Sequence, residues 1–308
     1  MFSVAVIILN WNGKKDTLAC VKSVTRQEIE HLQVVIVDNA STDDSVSVFR
    51  KKFPNLKILE NKTNLGYAAG NNIGIRYALD SGSEYVLVLN NDTVLDPECI
   101  RELQADLMSH PEAAAAGPKS YFYDKPDIIY FDGGEVAPYG SIFHVGYGSQ
   151  DIQLYNLARE TEWLNGCAIM FTSRALLDIG LFYPDYFLLF EDIDWSFRAI
   201  RLGYSLRYVP QAKLLHKVSA SFGKTWSPLY TYYYTRNLCL WIERNFPFYK
   251  RPRLYHQAVY SSRDFSNLLN VSSISMKKKL EKAIWFGFID YLLRRFGKCT
   301  HSIFVGQC

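Results

Sequence analysis

The chain has 308 residues and a formal net charge of +3 at pH 7, with 48% hydrophobic and 21% charged residues. This composition is ordinary for a globular protein with a large core, so it excludes extensive disorder. The small net charge excludes a nucleic-acid partner, and no apolar run approaches the roughly 18 residues of a conventional membrane span.

The six cysteines lie far apart, and no two of them form a C-x-x-C pair. This pattern favours reduced thiols over a disulfide framework or a zinc site. The first residues run into an apolar strand without a basic leader, so we expect no signal peptide. These features predict a cytoplasmic protein that is either soluble or peripheral to a membrane.

The first ninety residues alternate between apolar strands and helical stretches. Such a rhythm predicts βαβ crossovers, and hence an α/β fold with a parallel sheet and helices on both faces. The predicted strands cover residues 3–9, 33–37, 56–59 and 85–89.

Polar side chains follow these predicted strands. Asn10, Asp38 and Asp92 come at or just after three of the strand ends. Because the carboxyl ends of parallel strands meet at one edge of a sheet, we expect these residues to converge on one ligand-binding crevice. The alternative for each is helix capping, with Asp92 or Thr93 capping a helix that begins near Pro97.

Two common nucleotide-binding motifs are missing from the sequence. There is no G-x-G-x-x-G after the first strand, and no G-x-x-x-x-G-K-[ST] anywhere. Their absence disfavours a nicotinamide dehydrogenase and a P-loop ATPase. A sheet of this kind can still bind a nucleotide through its base and ribose and leave the diphosphate to a metal ion.

The middle of the chain has a looser pattern. Turn signals such as 132–134 predict a hairpin excursion between residues 121 and 162. A further apolar strand then begins around Gly166, whose small size allows a close ligand approach or simply a bend. Trp163, just before it, could stack on a sugar ring or pack in the core.

A helix is predicted from Glu191 to about Leu202. Asp194 and Arg198 have the spacing of an ordinary ion pair, whereas Glu191 and Asp192 have no evident partner. Three acids in a first turn also suit the helix dipole, which is the purely structural explanation. A carboxylate at the lip of an apolar pocket has a raised proton affinity, however, and this suits a general base.

Two short strands are predicted at 205–209 and 213–215, and the second ends at His216. A histidine at this position is either a core residue or, beside a cleft aspartate, a metal ligand.

The character of the sequence changes after residue 220, so we divide the chain into 1–220 and a helical, aromatic and basic region, 221–308. Within it, 277–298 carries seven Lys or Arg residues around an apolar middle. Such a helix suits an anionic membrane surface, although packing against the first region or in a homo-oligomer would use the same residues.

Five motifs in order resemble the bacterial family 2 glycosyltransferases, in particular their rhamnosyltransferase-like branch. The resemblance covers about residues 3–240, with a weaker echo at Gly287, Asp290 and Phe296-Gly297. The motifs are Asn10-Trp11-Asn12-Gly13, the stretch 37–43, the stretch 64–72, Asn90-Asn91-Asp92 and the stretch 190–194.

The resemblance implies a GT-A fold, that is, a Rossmann-like, mostly parallel sheet flanked by helices, here with a helical C-terminal extension. It also implies transfer of a sugar from a nucleoside diphosphate, with inversion. The implied donor is dTDP-L-rhamnose, with UDP-hexose or UDP-galactofuranose as alternatives. The implied acceptor is a saccharide or lipid-linked saccharide of a bacterial surface polysaccharide, which would place the enzyme at the inner face of the cell membrane.

The resemblance also assigns roles to residues. Asp192 matches the catalytic base, and Asp92 with His216 matches the ligands of Mg²⁺ or Mn²⁺. One departure is Asn90, an amide where the usual D-x-D motif has its first acid. The nucleotide-sugar side would comprise Asn10, Trp11, Asp38, Asn39, Gly66, Asn71, Asn90 and Asn91, and the acceptor side Trp163, Gly166 and Glu191.

Two other classes of function use a similar scaffold. One is a non-catalytic module that binds a sugar nucleotide or a glycan, and the joint presence of the candidate acids and His216 argues against it. The other is a nucleotidyltransferase, which generally needs a glycine-rich loop with Arg or Lys after the first strand. The residues at 10–13 match that loop poorly.

Overall fold

The computed structural model describes residues 3–137, 142–218, 227–256 and 274–302. Strands and helices alternate at first, as predicted: β1 Val4–Asn10, α1 Lys14–Val24, β2 Leu32–Asp38, α2 Ser45–Lys52, β3 Lys57–Glu60, α3 Gly66–Asp80 and β4 Tyr85–Asn90. The next elements are β5 Thr93–Leu95, α4 Cys99–Ser109, β6 Ala113–Phe122, β7 Lys125–Phe131, β8 Gly134–Val136, β9 Ile142–His144 and β10 Arg159–Glu160. The remainder comprises β11 Ala168–Thr172, α5 Ser173–Ile179, α6 Glu191–Arg201, β12 Ser205–His216, α7 Pro228–Asn245 and α8 Ile274–Leu292.

One large sheet runs through the molecule in the order β10-β12-β6-β11-β4-β1-β2-β3. Neighbours from β4 to β3 are parallel, which confirms the predicted βαβ crossovers. Strand β11 lies antiparallel between β4 and β6, and β12 is parallel to β6. The predicted hairpin excursion is present as β7 against β6 and as the β8–β9 pair.

The prediction of two separate short strands at 205–209 and 213–215 is wrong, because these residues form a single strand, β12. Its pairing with β6 shifts register between Val209 and Lys213. Pro210 lies at this shift, and a proline cannot donate to a strand ladder, so the chain bulges there instead of ending. Strand pairing continues beyond the bulge to His216.

Apolar side chains cover both faces of the sheet. Along β1, Ile7 belongs to one hydrophobic cluster and Ile8 to the other. A strand that is apolar at successive positions must be covered on both faces, as expected for a central parallel strand. The sheet is therefore sandwiched between two helical layers.

Helix α7 extends the first of these clusters through buried residues such as Leu238 and Trp241. Helix α8 packs closely on α7, because a Cβ added to Gly287 would lie 2.6 Å from the Tyr232 carbonyl oxygen. The boundary predicted after residue 220 lies in 219–226, outside the described residues.

Two sequence-level expectations about chemistry and membranes can be compared with the structure. The five cysteines in the described part of the chain are buried free thiols. None of the helices in the described ranges combines the length and apolarity needed to cross a bilayer.

Candidate active site

The ends of β1 and β2 form the first part of the site. Asn10 and Asp38 are register partners, and Asn10 Nδ2 donates to Asp38 Oδ2 at 2.8 Å. The other carboxylate oxygen of Asp38 accepts from the Ser41 amide at 2.8 Å. Thr17 Oγ1 donates to Asn10 Oδ1 and accepts from Asn91 Nδ2. This chain of hydrogen bonds brings two of the three predicted strand ends, Asn10 and Asp38, together and fixes the Asp38 carboxylate.

Two other predicted nucleotide-side residues lie near these strand ends. Trp11, just after β1, and Asn90, at the end of β4, are both half-buried. Asn90 is one residue out of step with Asn10, since its register partner in β1 is Leu9.

Asn39, predicted on the nucleotide-sugar side, makes an extensive set of contacts within the protein. Its side chain is 2% exposed, and both ends of the amide bind protein groups. Nδ2 donates to Asn64 Oδ1 and the Gly66 carbonyl, while Oδ1 accepts from Asn61 Nδ2 and the Leu65 amide. Asn39 therefore fastens the loop before α3 to the end of β2.

Gly66 and Asn71 likewise shape the start of α3. Gly66 has φ +78°, and a Cβ there would lie 2.4 Å from the Phe187 carbonyl oxygen. The glycine thus permits both a left-handed turn and a close approach of two backbones. Asn71 is fully buried, and its Nδ2 donates to the Tyr67 carbonyl at 3.0 Å.

Asp92 and His216 form the second part of the site. Strand β5 pairs with the end of β12 so that His216 lies opposite Thr93, next to Asp92. His216 Nε2 is 3.2 Å from Asp92 Oδ1, and both side chains are buried. Burial opposes ionisation of Asp92, but the charge and hydrogen bond of His216 hold the pKa of that carboxyl below its ordinary value. The helix-capping alternative is wrong, since Thr93 lies in β5 and α4 begins only at Cys99.

The donor set of this pair fits a divalent cation. His216 Nδ1 is buried, and it has no hydrogen-bond partner in the described part of the chain. An imidazole and a carboxylate are common ligands of Mn²⁺, and carboxylate oxygen is preferred by Mg²⁺. Within the described ranges, no cluster of three or more His, Cys, Asp or Glu residues could hold a metal ion. Asp92 and His216 could therefore contribute two ligands, leaving the others to a bound phosphate and water.

Asp192 lies at the N-terminus of α6 and is partly exposed. Its Oδ2 accepts from the Gly166 amide at 2.7 Å, and its Oδ1 from the Ile193 amide at 2.8 Å. Burial raises the pKa of Asp192 to about 6, even though these hydrogen bonds act in the opposite direction. A carboxylate with this pKa is ionised at neutral pH and is a stronger base than an ordinary aspartate.

Glu191 is 5% exposed, so it lies inside the protein and not on an open acceptor surface. Burial and then the charge of Asp192 raise the pKa of Glu191 well above its ordinary value. Both adjacent carboxyl groups are therefore weaker acids than an ordinary glutamate or aspartate. Asp194, in the same turn, pairs with Arg198 at 3.0 Å as predicted.

The segment Gly166-Cys167 joins the two carboxylate sites. Asp192 binds the Gly166 amide, and the Asn90 amide, two residues before Asp92, donates to the Cys167 carbonyl at 2.9 Å. Burial and then the charges of Asp92 and Asp192 raise the pKa of the Cys167 thiol to about 12. Both aspartates thus lie near one short stretch of backbone.

Trp163 does not offer a surface for sugar stacking. It is 2% exposed, with its ring 5.2 Å from Phe131 and 5.0 Å from His144. A Cβ added to Gly134 would come within 2.1 Å of the indole. The core alternative is therefore correct for Trp163.

Several aromatic residues near the site were missed from the sequence. The Tyr67 hydroxyl donates to the Gly166 carbonyl, and Tyr130 packs edge-on against His216 at 4.8 Å. Tyr230 and Tyr234 on α7 are stacked 6.1 Å apart. The high aromatic content was the signal for these residues, but it does not say which rings lie at the site.

Comparison with known proteins adds the family. The family model described as "Glycosyl transferase family 2" matches residues 5–166, more than half of the chain. The chain belongs to glycosyl transferase family 2. The glycosyltransferase class predicted from the motifs is thereby confirmed.

Among the relatives of this glycosyltransferase is the N-acetylglucosaminyl-diphospho-decaprenol L-rhamnosyltransferase of Mycobacterium tuberculosis. It is 28% identical over 215 residues, which cover 63% of this chain and 69% of the relative. The dTDP-rhamnosyl transferase RfbF of Shigella flexneri is 23% identical over 255 residues, covering 79% and 81%.

Solved structures resemble this glycosyltransferase over nearly its whole length. GalNAc-T7, determined with UDP, GalNAc and Mn²⁺, has a TM-score of 0.65 at 14% identity, covering 96% of this chain and 56% of that one. The mannosyltransferase PcManGT of Pyrobaculum calidifontis, in complex with GDP-Man and Mn²⁺, has a TM-score of 0.59 at 16% identity, covering 95% and 87%. These similarities confirm the predicted GT-A fold.

Proposed function

We propose that this glycosyltransferase moves a sugar, with inversion, from a nucleoside diphosphate to a saccharide or lipid-linked saccharide of a bacterial surface polysaccharide. The observation that carries the proposal is the placement of Asp192 and the Asp92–His216 pair around one backbone segment, Gly166-Cys167. Relatives named as rhamnosyltransferases favour dTDP-L-rhamnose as the donor, ahead of UDP-hexose and UDP-galactofuranose.

Asp192 would act as the general base. It takes the proton of the acceptor hydroxyl as that oxygen bonds to the anomeric carbon, while the bond to the diphosphate breaks on the opposite face. General-base catalysis of this kind is typically worth about 10²–10⁴-fold in rate. The Gly166 and Ile193 amides hold the carboxylate in place for this step.

Asp92 and His216 would hold Mg²⁺ or Mn²⁺, which, when bound, stabilises the negative charge on the departing diphosphate. Asp38 would accept the N3–H of a uracil or thymine base. Each of its oxygens already accepts one protein hydrogen bond, and a carboxylate oxygen can accept a second. Trp11 would line the same pocket, and Asn90 would contact the ribose.

A donor panel tests this proposal. The purified enzyme is incubated with a lipid-linked saccharide acceptor and, in turn, dTDP-L-rhamnose, UDP-glucose, UDP-galactose or UDP-galactofuranose, with Mn²⁺, Mg²⁺ or EDTA. Released nucleoside diphosphate and the glycosylated acceptor are measured. We expect release with one donor, and its loss in EDTA. Release of pyrophosphate from a nucleoside triphosphate and a sugar phosphate would instead indicate a nucleotidyltransferase. Donor binding without turnover would indicate a binding module.

We also propose that the enzyme works at the inner face of the cell membrane, with α8 against anionic lipid. Lys278, Lys282, Trp285, Ile289 and Leu292 are exposed, and their spacing places them on one face of α8. This face combines basic and apolar side chains, as interfacial helices do. Because α8 also packs on α7, point substitutions are a cleaner test than deletion of the C-terminal region.

The membrane proposal predicts that the wild type sediments with vesicles containing anionic phosphatidylglycerol and less with neutral phosphatidylcholine. The double variant Lys278→Glu/Trp285→Ser should lose this binding and keep the wild-type melting temperature, since both side chains are exposed. Unchanged sedimentation of the variant would contradict the placement. A dimer that dissociates in the variant would assign the face to a second copy.

A further inference from the structure

The loop that leads into α6 has an unusual backbone. Phe187, Leu189 and Phe190 have φ values of +61°, +73° and +75°. Side chains other than glycine rarely adopt this left-handed region, and such a backbone persists only where its surroundings hold it. Glu191 and Asp192 follow directly, so the position of the proposed base depends on this strained loop.

Asn237 on α7 holds the loop from one side. Its side chain is buried, and Nδ2 lies within hydrogen-bond distance of the carbonyl oxygens of Tyr186 at 2.8 Å, Leu188 at 2.7 Å and Leu189 at 2.9 Å. Its Oδ1 accepts from Arg236 Nε at 3.0 Å. Because a guanidinium group only donates, this contact orients the amide with its NH₂ group toward the loop.

Arg236 binds the beginning of the same loop. Its Nη2 donates to the carbonyls of Tyr186 at 2.9 Å and Asp185 at 3.3 Å, and its Nη1 to Gly297 at 2.7 Å. The guanidinium is fully buried, and within the described residues no carboxylate lies in ion-pair range of it. The guanidinium also lies over the rings of Tyr233 and Tyr232, 4.9 Å and 5.5 Å from their centroids, and these cation–π contacts stabilise the buried charge while its N–H groups bind the carbonyls.

On its other side the loop contacts the residues that bind Asp192. The Tyr67 amide donates to the Phe187 carbonyl, and the Tyr67 hydroxyl donates to the Gly166 carbonyl. The Gly166 amide in turn donates to Asp192. A continuous series of hydrogen bonds therefore runs from helix α7 through the loop, Tyr67 and Gly166 to Asp192.

We propose that Arg236 and Asn237 are positioning residues, which hold loop 186–190 in its strained conformation and so place Asp192 against the Gly166 amide. This inference rests on the proposed role of Asp192 in transfer. It also gives the C-terminal region a part in catalysis, because the Gly297 carbonyl is bound by the same guanidinium group as the loop.

Two conservative substitutions isolate the hydrogen bonds. Arg236→Lys keeps the charge but replaces the planar guanidinium with a single ammonium group. That group cannot bind the loop carbonyls and the Gly297 carbonyl at the same time. Asn237→Asp keeps the size but turns a carboxylate toward three carbonyl oxygens. Leu238→Ala is the matched control, because Leu238 is buried on the same helix and packs in the core. It removes apolar packing and leaves the loop contacts in place.

The experiment measures kcat, the donor KM and the pH dependence of kcat for the full-length wild type and the three variants. We expect kcat to fall about 10-fold to 100-fold in Arg236→Lys and Asn237→Asp, with the donor KM little changed, because a small misplacement of a catalytic group has this scale of effect. The fall of kcat at low pH, the acid limb of the pH profile, should also move to higher pH. The reason is that weakening the hydrogen bond from Gly166 raises the pKa of Asp192. Leu238→Ala should lower the melting temperature but keep the wild-type kcat and acid limb.

Hydrogen exchange provides a readout that does not depend on activity. Backbone amides of 186–194 should exchange faster in Asn237→Asp than in both the wild type and Leu238→Ala. If the wild type releases no nucleoside diphosphate from any donor, the proposed function fails. If the wild type is active but both conservative variants keep its kcat, acid limb and exchange, or if Leu238→Ala shows the same losses, the positioning role is wrong.

Discussion

The two sides of the proposed active site are built in different ways. On the nucleotide side, Asn10 and Asp38 are brought together by regular parallel pairing of β1 and β2. On the side of the proposed general base, Asp192 follows a loop with three left-handed residues. Its position depends on contacts from α7 and Gly166. Sheet register is sufficient to place a binding group, whereas the proposed catalytic group needs support from distant parts of the chain.

The largest effect on activity is expected at Asp192, the proposed general base. Asp192→Asn should lower kcat by about 10²–10⁴-fold, the usual worth of a general base, and leave donor binding intact. Kinetics of nucleoside diphosphate release and calorimetric titration of the donor measure the two quantities. Asp80→Asn, at an exposed carboxylate that ends α3, is the control and should behave as the wild type. Wild-type turnover in Asp192→Asn would remove the functional difference between the two sides.

Loss of the Asp92–His216 pair is the next largest expected effect. Asp92→Asn should lower transfer by about 10²–10³-fold, the scale seen when one stabiliser of developing charge is removed. It should also abolish stimulation by Mn²⁺, because a neutral amide binds the cation poorly. Titration of Mn²⁺ against activity and against donor affinity checks this. Equal stimulation in the variant and the wild type would show that the metal, if used, binds elsewhere.

The nucleotide side should respond in binding instead of rate. Asp38→Asn removes a charged acceptor, and such a hydrogen bond is worth about 1.5–3 kcal/mol. We therefore expect the donor KM and the nucleoside diphosphate Kd to rise by about 10-fold to 100-fold, with a smaller change in kcat. Asn10→Ala should shift the same two quantities in the same direction, because Asn10 orients the carboxylate. A fall in kcat without a change in the donor KM would contradict the assignment of Asp38 to donor binding.

The smallest effect on activity is expected at Glu191. Burial and then the neighbouring charge of Asp192 raise the pKa of this carboxyl well above its ordinary value in the folded state. A group with a raised folded-state pKa stabilises most at low pH, and that contribution is lost as pH rises above the unfolded value. Glu191→Gln should therefore keep nearly the wild-type kcat, and its melting temperature should fall less between pH 5 and pH 8. A large loss of kcat would give Glu191 a direct part in transfer.

The same contrast explains what could be predicted from the sequence. The strand ends at Asn10 and Asp38 were predictable, because apolar strands and their alternation with helices are local patterns. The prediction of two strands in place of β12 was wrong, because Pro210 resembles a strand end. In the structure, pairing with β6 continues past it. Trp163 was left open because composition does not show which neighbours cover a ring.

The support of Asp192 could not have been predicted in this way. Asn237 contacts carbonyls about fifty positions earlier in the chain, and backbone acceptors have no sequence signature. The left-handed residues of the loop are Phe and Leu, types that give no warning of such a backbone. The Arg236-Asn237 pair was visible in the aromatic stretch that opens α7, but nothing local indicated its role.

The pH dependence of kcat tests the central claim most directly. Burial raises the pKa of Asp192 to about 6, and only the ionised carboxylate can take the acceptor proton. With saturating donor, acceptor and Mn²⁺, kcat should be constant near pH 8 and fall about tenfold per pH unit below an apparent pKa near 6. Asp192→Asn should show no such limb in its residual rate. A wild-type kcat that stays flat to pH 5, or an identical limb in Asp192→Asn, would contradict the account.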